Sequence, residues 1–357
     1  MKNEIIVENK KEIKKNRCAV IISATAALLS VIVCLCAGSS GLGLPALLRL
    51  INGSATETER LIFTSIRAPR VLAAVTAGAG LSLSGCIMQK VLGNPMASPS
   101  TLGVSNGAVF GANLAIIFFG AGTVSGSVNG SVTLSNPYTV TVCAFVSAFA
   151  GISVILLLAL KKRFSSETVV LCGVATGAFF SAGTTLLQYF SVDTQVSSAV
   201  FWSFGDLGRA SFRECAFMLA ALVVGLAFSC VCSRDLDILS AGDETARGLG
   251  INVTALRFFS LLIASLICAV CVSFLGIIGF VGLIAPHTAK RIVGEKMSVL
   301  FPVSVFGGIV LLSLSDAIAR SAIHGISLPV GAVTSLFGGP AFLYLLLRER
   351  RGAQNEA

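Results

Sequence analysis

Apolar runs long enough to cross a bilayer alternate with short polar connections along nearly the whole chain. Residues 18–38, 68–89, 103–121, 138–160, 168–190, 213–232, 255–274, 276–294, 299–320 and 328–347 form ten such runs. A membrane-crossing helix needs roughly 20 apolar residues. The pattern therefore predicts an all-α, polytopic membrane protein with about ten transmembrane helices. Its domain organisation is a polar segment at 1–17, a transmembrane domain at 18–348 and a polar tail at 349–357. Segment 1–17 is rich in lysine and leads straight into the first run, as in a signal peptide. That run exceeds the 7–15 residues of a signal-peptide apolar region and lacks an A-x-A cleavage site, so it reads as an uncleaved span.

Composition agrees with the pattern. Hydrophobic residues make up 55% of the 357 and charged residues 12%, with a mean hydropathy of +0.89; soluble chains average about 25% charged. The net charge of +9 does not indicate nucleic acid, because the basic residues cluster between apolar runs rather than along one face. Most of them fall at the termini and on the even-numbered connections. Arg49, Arg60, Arg67, Arg70, Arg209, Arg213 and Arg320 lie on the opposite side. The excess of positive charge on cytoplasmic loops then predicts both termini in the cytoplasm of a multi-pass cell-membrane protein. The 11 cysteines are scattered through apolar segments without metal-ligand spacing and read as small fillers.

Several chemistries lack their residues. Ion-coupled carriers hold an ionisable group at mid-membrane, but the carboxylates here fall at span ends or in loops, with Asp316 near the outer end of the ninth span. The phosphate-cradling G-x-x-x-x-G-K-[ST] motif is absent, so energy must come from a partner, or the protein is a passive pore. His287 and His324 are the only histidines. Neither sits in a metal-ligand pattern, and neither a metal, a cofactor nor an enzymatic activity is expected. Glycine and proline interrupt many spans, including Gly78, Gly80, Gly85, Gly276, Gly279, Gly282, Pro286 and Gly338 to Pro340. They read first as close packing and second as pathway lining.

The longest cytoplasmic connection, SRDLDILSAGDETARGLGIN at 233–252, mixes charges with apolar Leu236, Leu239, Ala246 and Leu249. That pattern predicts short amphipathic helices lying on another protein rather than a solvated loop. Five stretches carry a resemblance beyond this. They are RAPRVLAAVTAGAGLSLSGCIMQKVLGNPMASPSTLGVSNGA from Arg67, FWSFGDLG around Trp202, LDILSAGDETARGLGI from Leu236, GFVGLIAPHTAKRIVG from Gly279, and the segment from Leu314 that continues LSDAIARSAIHGISLPVGAVTSLFGGPAFLYLLLR. Together the chain resembles the FecCD-type permease family of type II ABC importers, which serves ferric siderophores, haem and cobalamin. It departs in reading R-A-P-R where R-L-P-R is commoner, in placing Lys290 and Arg291 at the end of the Pro-His motif, and in a long Gly/Ser loop at 120–136.

The resemblance implies a permease subunit that binds no ATP itself. It implies a homodimer or a heterodimer of related permeases, one ATPase under each subunit, and an extracytoplasmic binding protein that delivers the ligand. It places the coupling helices at Leu239, Gly242, Asp243, Glu244, Arg247, Leu249 and Gly250. It places docking of the binding protein at Arg67, Arg70 and Arg320, and a cytoplasmic gate at Ser165, Ser166 and Glu167. The residues alone leave alternatives open. The arginines sit on the side where positive charge is disfavoured, Arg67 and Arg70 at the entrance of a helix whose dipole also repels cations. They could instead snorkel to lipid headgroups, and Arg320 could pair with Asp316 at i,i+4. The gate residues equally suit a polar turn, and Trp202 reads as an aromatic anchor at the outer interface.

Overall fold

Bilayer hydrocarbon offers no partner to a backbone N–H or C=O, so apolar runs of this length must close their hydrogen bonds internally as helices. The computed structural model describes residues 2–38, 41–121, 136–161, 166–323 and 326–355. Among these residues the helices are α1 Lys2–Cys36, α2 Leu44–Ile51, α3 Glu57–Leu61, α4 Ala68–Leu92, α5 Val104–Asn113, α6 Pro137–Lys161, α7 Ser166–Tyr189, α8 Asp193–Ser203, α9 Phe212–Val231, α10 Ser233–Leu239, α11 Asp243–Gly248, α12 Val253–Leu275, α13 Val281–Val293, α14 Met297–Ser321 and α15 Val330–Asn355. Extended pairing among them is limited to two isolated bridges, Phe204 with Ile277 and Ile323 with Ile326.

Every predicted apolar run is occupied by a helix, but the helices are unequal. By length and composition, 7 of the described helical stretches could cross a membrane. The runs at 103–121, 276–294 and 328–347 hold shorter apolar helices. The 13 residues of α13 rise only about 20 Å, short of the roughly 30 Å hydrocarbon core. Its missing half is the non-helical stretch 276–280, where Gly276 (φ 82°) and Phe280 (φ 65°) both adopt left-handed backbone. Broken backbone at membrane depth survives where protein covers it. Here the Ile277 amide donates to the Ser203 carbonyl (3.3 Å) and the Asp206 amide to the Leu275 carbonyl (2.9 Å).

The start of the second predicted span differs from expectation. Helix is continuous from Glu57 to Leu92, with a π-helical turn at Ile62–Arg67 leading into Pro69. Proline lacks an N–H, and a π turn is one way a helix passes such a gap. Arg67 and Arg70 therefore lie within a long helix and not at the entrance of one, so the dipole repulsion expected from the sequence does not apply.

Helix α4 is buried along almost its whole length and packs against α9, α12, α13 and α14. Glycines make this possible. A Cβ on Gly85 would lie 1.6 Å from the Gly282 carbonyl oxygen, and one on Gly78 would lie 2.7 Å from that of Gly308. These glycines serve backbone-to-backbone packing, the first of their two readings. Gly85→Ala should force α4 and α13 apart at a cost of about 1–3 kcal/mol, the range for overpacked cores. A thermal melt of the purified variant should show a lowered midpoint, and an unchanged midpoint would contradict the contact.

Candidate functional site

Two charged clusters occupy opposite ends of α4. At the Arg70 end, the last turn of α1 leaves carbonyls without helical partners, and such ends attract cations. Arg67 Nη1 donates to the carbonyls of Leu35 (2.8 Å), Cys36 (3.2 Å) and Leu42 (2.7 Å), and its guanidinium lies 4.8 Å from the Phe63 ring centre. Arg320 donates to the carbonyls of Ala37 (2.8 Å) and Cys34 (2.6 Å). Two of the three predicted docking arginines thus tie the end of α1 to α4 and α14.

The third, Arg70, is joined to Arg320 by Asp316, which is 0% exposed. Arg70 Nε donates to Asp316 Oδ1 at 2.8 Å, while Arg320 Nε forms an ion pair with Oδ2 at 2.8 Å. The i,i+4 pairing left open by the sequence is therefore present. Arg70 also meets Asp206 Oδ1 at 3.1 Å and donates to the Ser327 hydroxyl at 3.3 Å. The network leaves little of these side chains outside: Arg67 is 3% exposed. Nearby, Arg209 donates to the carbonyls of Phe201, Trp202 and Phe204 at the end of α8. Trp202 is itself buried, which corrects its reading as an interfacial anchor. The turn that Arg209 holds together folds the indole against the bundle.

The opposite end of α4 meets the predicted coupling segment, which folds as α10 and α11. Of its four apolar positions, Leu236, Leu239 and Ala246 are buried within this chain and Leu249 is exposed. The apolar stripe mainly seats the segment on its own bundle, with only Leu249 of the four turned outward. Arg257 grips Asp243 with two bonds of 2.8 Å and donates to the Val91 carbonyl at 3.3 Å. Lys90 lies 3.4 Å from Asp237 and donates to the Glu295 carbonyl at 2.8 Å. Glu295 also pairs with Lys290 at 2.7 Å, which holds its carboxyl below the usual range. Glu244, Arg247, Leu249 and Gly250 face outward, while Gly242 (φ 112°) and Gly250 (φ 85°) flank α11 in backbone suited to glycine. A cavity of about 350 Å³ lies behind this layer, lined in part by Gln89, Lys90, Asp243, Arg257 and Lys290.

Among the predicted gate residues, Ser165 lies outside the described residues, as do residues 122–135 of the Gly/Ser loop and His324. Ser166 begins α7 and donates to the Leu92 carbonyl at 2.6 Å, and Glu167 is exposed. His287 is buried beside the Phe342 ring, 6.1 Å between centres. No group of three or more metal-ligating side chains occurs among the described residues.

The sequence reading missed Asp206, Lys90, Asp237 and the binding role of Arg257. Arg257 carried a usable signal, since a cation inside an apolar span needs a partner. Asp206 stood in the FWSFGDLG stretch with nothing in its spacing to pair it with Arg70.

A bundle of apolar helices around a buried, glycine-packed α4, with polar clusters confined to its two ends, defines a multi-pass membrane protein with no soluble catalytic domain among the described residues. The sequence pattern of the FecCD transport family matches residues 26–348. The chain belongs to that family, and it is a membrane permease. A protein of Methanocaldococcus jannaschii named as an ABC transporter permease is 43% identical over 328 residues, 92% of this chain and 93% of its own length. The Fe(3+)-citrate import system permease of Bacillus subtilis is 35% identical over 292 residues, 81% of this chain and 83% of that one. The hemin transport system permease of Yersinia pestis is 34% identical, covering 90% and 95%. A solved structure described as an inward-facing conformation of a metal-chelate type ABC transporter superposes with a TM-score of 0.79 at 26% identity, covering 92% of this chain and 98% of the other.

Proposed function

We propose that this chain is the membrane subunit of an ABC importer that carries an iron-siderophore, haem or cobalamin type ligand, driven by a separate ATPase. The observation that carries the reading is the α10–α11 layer. Asp243 and three buried apolar residues fasten it to the bundle, while Glu244, Arg247 and Leu249 face outward. An exposed layer tied to α12 through Asp243 and Arg257, and to α4 through Asp237 and Lys90, suits a surface that receives force from another protein. The family and the relatives named for ferric citrate and hemin support the ligand class. Co-purification with the ATPase tests the reading. Wild type should retain the ATPase through gel filtration, and a chain that never retains it would contradict the proposal.

In this reading two permease subunits, most simply identical, enclose the ligand path, both termini are cytoplasmic, and Ser165, Ser166 and Glu167 lie beside the cytoplasmic gate. A binding protein docks at the other end, drawn by Arg67, Arg70 and Arg320, which outnumber Asp206 and Asp316 there. Arg67→Glu with Arg70→Glu should stop uptake and weaken docking, because like charges facing across an interface cost several kcal/mol. Arg67 also anchors α1, so only variant protein with an unchanged gel-filtration profile counts. Binding-protein affinity is to be measured at two salt concentrations, since attraction to the net positive charge of this end fades as the Debye length falls below about 8 Å. Wild-type affinity should fall with added salt and the variant's should not. Equal affinity in all four conditions would remove docking from these arginines.

A further inference from the structure

A cleft of about 740 Å³ opens between α1, α13 and α14, apart from both charged clusters. Small residues make it deep: Ala19 and Ala26 on α1, Ala285 and Ala289 on α13, and Gly307 on α14 all line it. The α1 positions recur every three or four residues, so one helical face forms that wall. Its volume lies within the range of about 300–1,000 Å³ typical of small-ligand pockets. Lys15 is the charged residue of the lining, and among the described residues no carboxylate forms an ion pair with it. Lys11, Lys14 and Arg17 are exposed on the same stretch of α1.

We propose that this cleft binds one acyl chain of an anionic phospholipid whose phosphate is held by Lys15. A lysine at the end of a span ordinarily reaches into the mixed headgroup layer. Here Lys15 lines an otherwise uncharged apolar cleft, so one molecule can satisfy both. A peptide strand would bring unsatisfied backbone groups into the same apolar space. A zwitterionic headgroup would place its own cation near Lys15 and near Lys11, one turn away on the same face, whereas an anionic one would not. Basic segments beside membrane helices select anionic lipids on this principle. The leaflet, though not the site, rests on the orientation proposed above.

The test uses the full chain purified in neutral detergent and exposed to equal amounts of phosphatidylglycerol and phosphatidylcholine, with retained lipid counted by native mass spectrometry. Wild type should retain phosphatidylglycerol over phosphatidylcholine by about fivefold, the worth of one basic residue near an anionic surface. Lys15→Glu should remove the preference, Ala19→Phe should lower retention of both lipids, and Lys161→Glu, on α6, should change neither. Retention that is equal across wild type, Lys15→Glu and Ala19→Phe would overturn the site. So would a change of oligomeric state in Ala19→Phe, which would make the cleft a subunit contact. An N-terminal tag cut by protease outside sealed, right-side-out vesicles would overturn the orientation while leaving the lipid site standing.

Discussion

Asp316→Ala is expected to abolish recovery of folded permease. The carboxylate is fully buried and each of its oxygens meets a different arginine, so its removal leaves two guanidinium groups facing one another in a low-dielectric setting. Removing one partner of a buried ion pair typically costs about 3–5 kcal/mol, a large share of the about 5–15 kcal/mol that holds an ordinary domain folded. Asp316→Asn keeps the shape and one acceptor and should be less severe. Arg70→Gln combined with Asp316→Asn should recover part of the loss, because residues in one network do not act additively. Fluorescence-detected gel filtration and melting midpoints measure all three. A monodisperse Asp316→Ala with the wild-type midpoint would mean that the carbonyls at the end of α1 suffice for Arg320, and Asp206 with Ser327 for Arg70.

Leu249→Asp and Glu244→Arg should each cut ligand-stimulated ATP hydrolysis about tenfold or more, the scale of an interface hot spot, with the permease still folded. Both side chains face away from the bundle, so their loss removes nothing internal. Asp243→Ala should behave differently. It releases Arg257, which is 9% exposed, and should lower the melting midpoint together with coupling, since a hydrogen bond to a charged group is worth about 1.5–3 kcal/mol. If Leu249→Asp and Glu244→Arg hydrolyse ATP as wild type does, the outward face of α11 is not the contact surface. If Asp243→Ala leaves the midpoint unchanged, Arg257 does not depend on it.

The helices were legible because the bilayer enforces one local solution on an apolar run, and Gly276 and the glycines around α4 marked breaks and close approaches. The segment at 233–252 was legible as short amphipathic helices. Which way its apolar stripe faced was not, because Leu236, Leu239 and Ala246 would look the same seated on this bundle or on a partner. The cluster at the Arg70 end of α4 was legible as three arginines set apart from the other basic residues but not as a network. Arg70 and Asp316 lie 246 residues apart, and no local spacing announces that pair. The helix ahead of the R-A-P-R motif was hidden for a local reason: Pro69 reads as a helix start, and the π turn that carries the chain past it leaves no compositional mark.

Reconstitution shows whether this permease moves a chelated ligand only when an ATPase drives it. The permease and its ATPase are placed in proteoliposomes with ligand-loaded binding protein outside, and accumulation of labelled ligand is followed with and without ATP. Labelled ligand should accumulate with ATP, and accumulation should be lost without ATP and lost again with the permease alone. Ligand flux through the permease alone, at the same rate with or without ATP, would contradict this and make the chain a channel or an independent carrier.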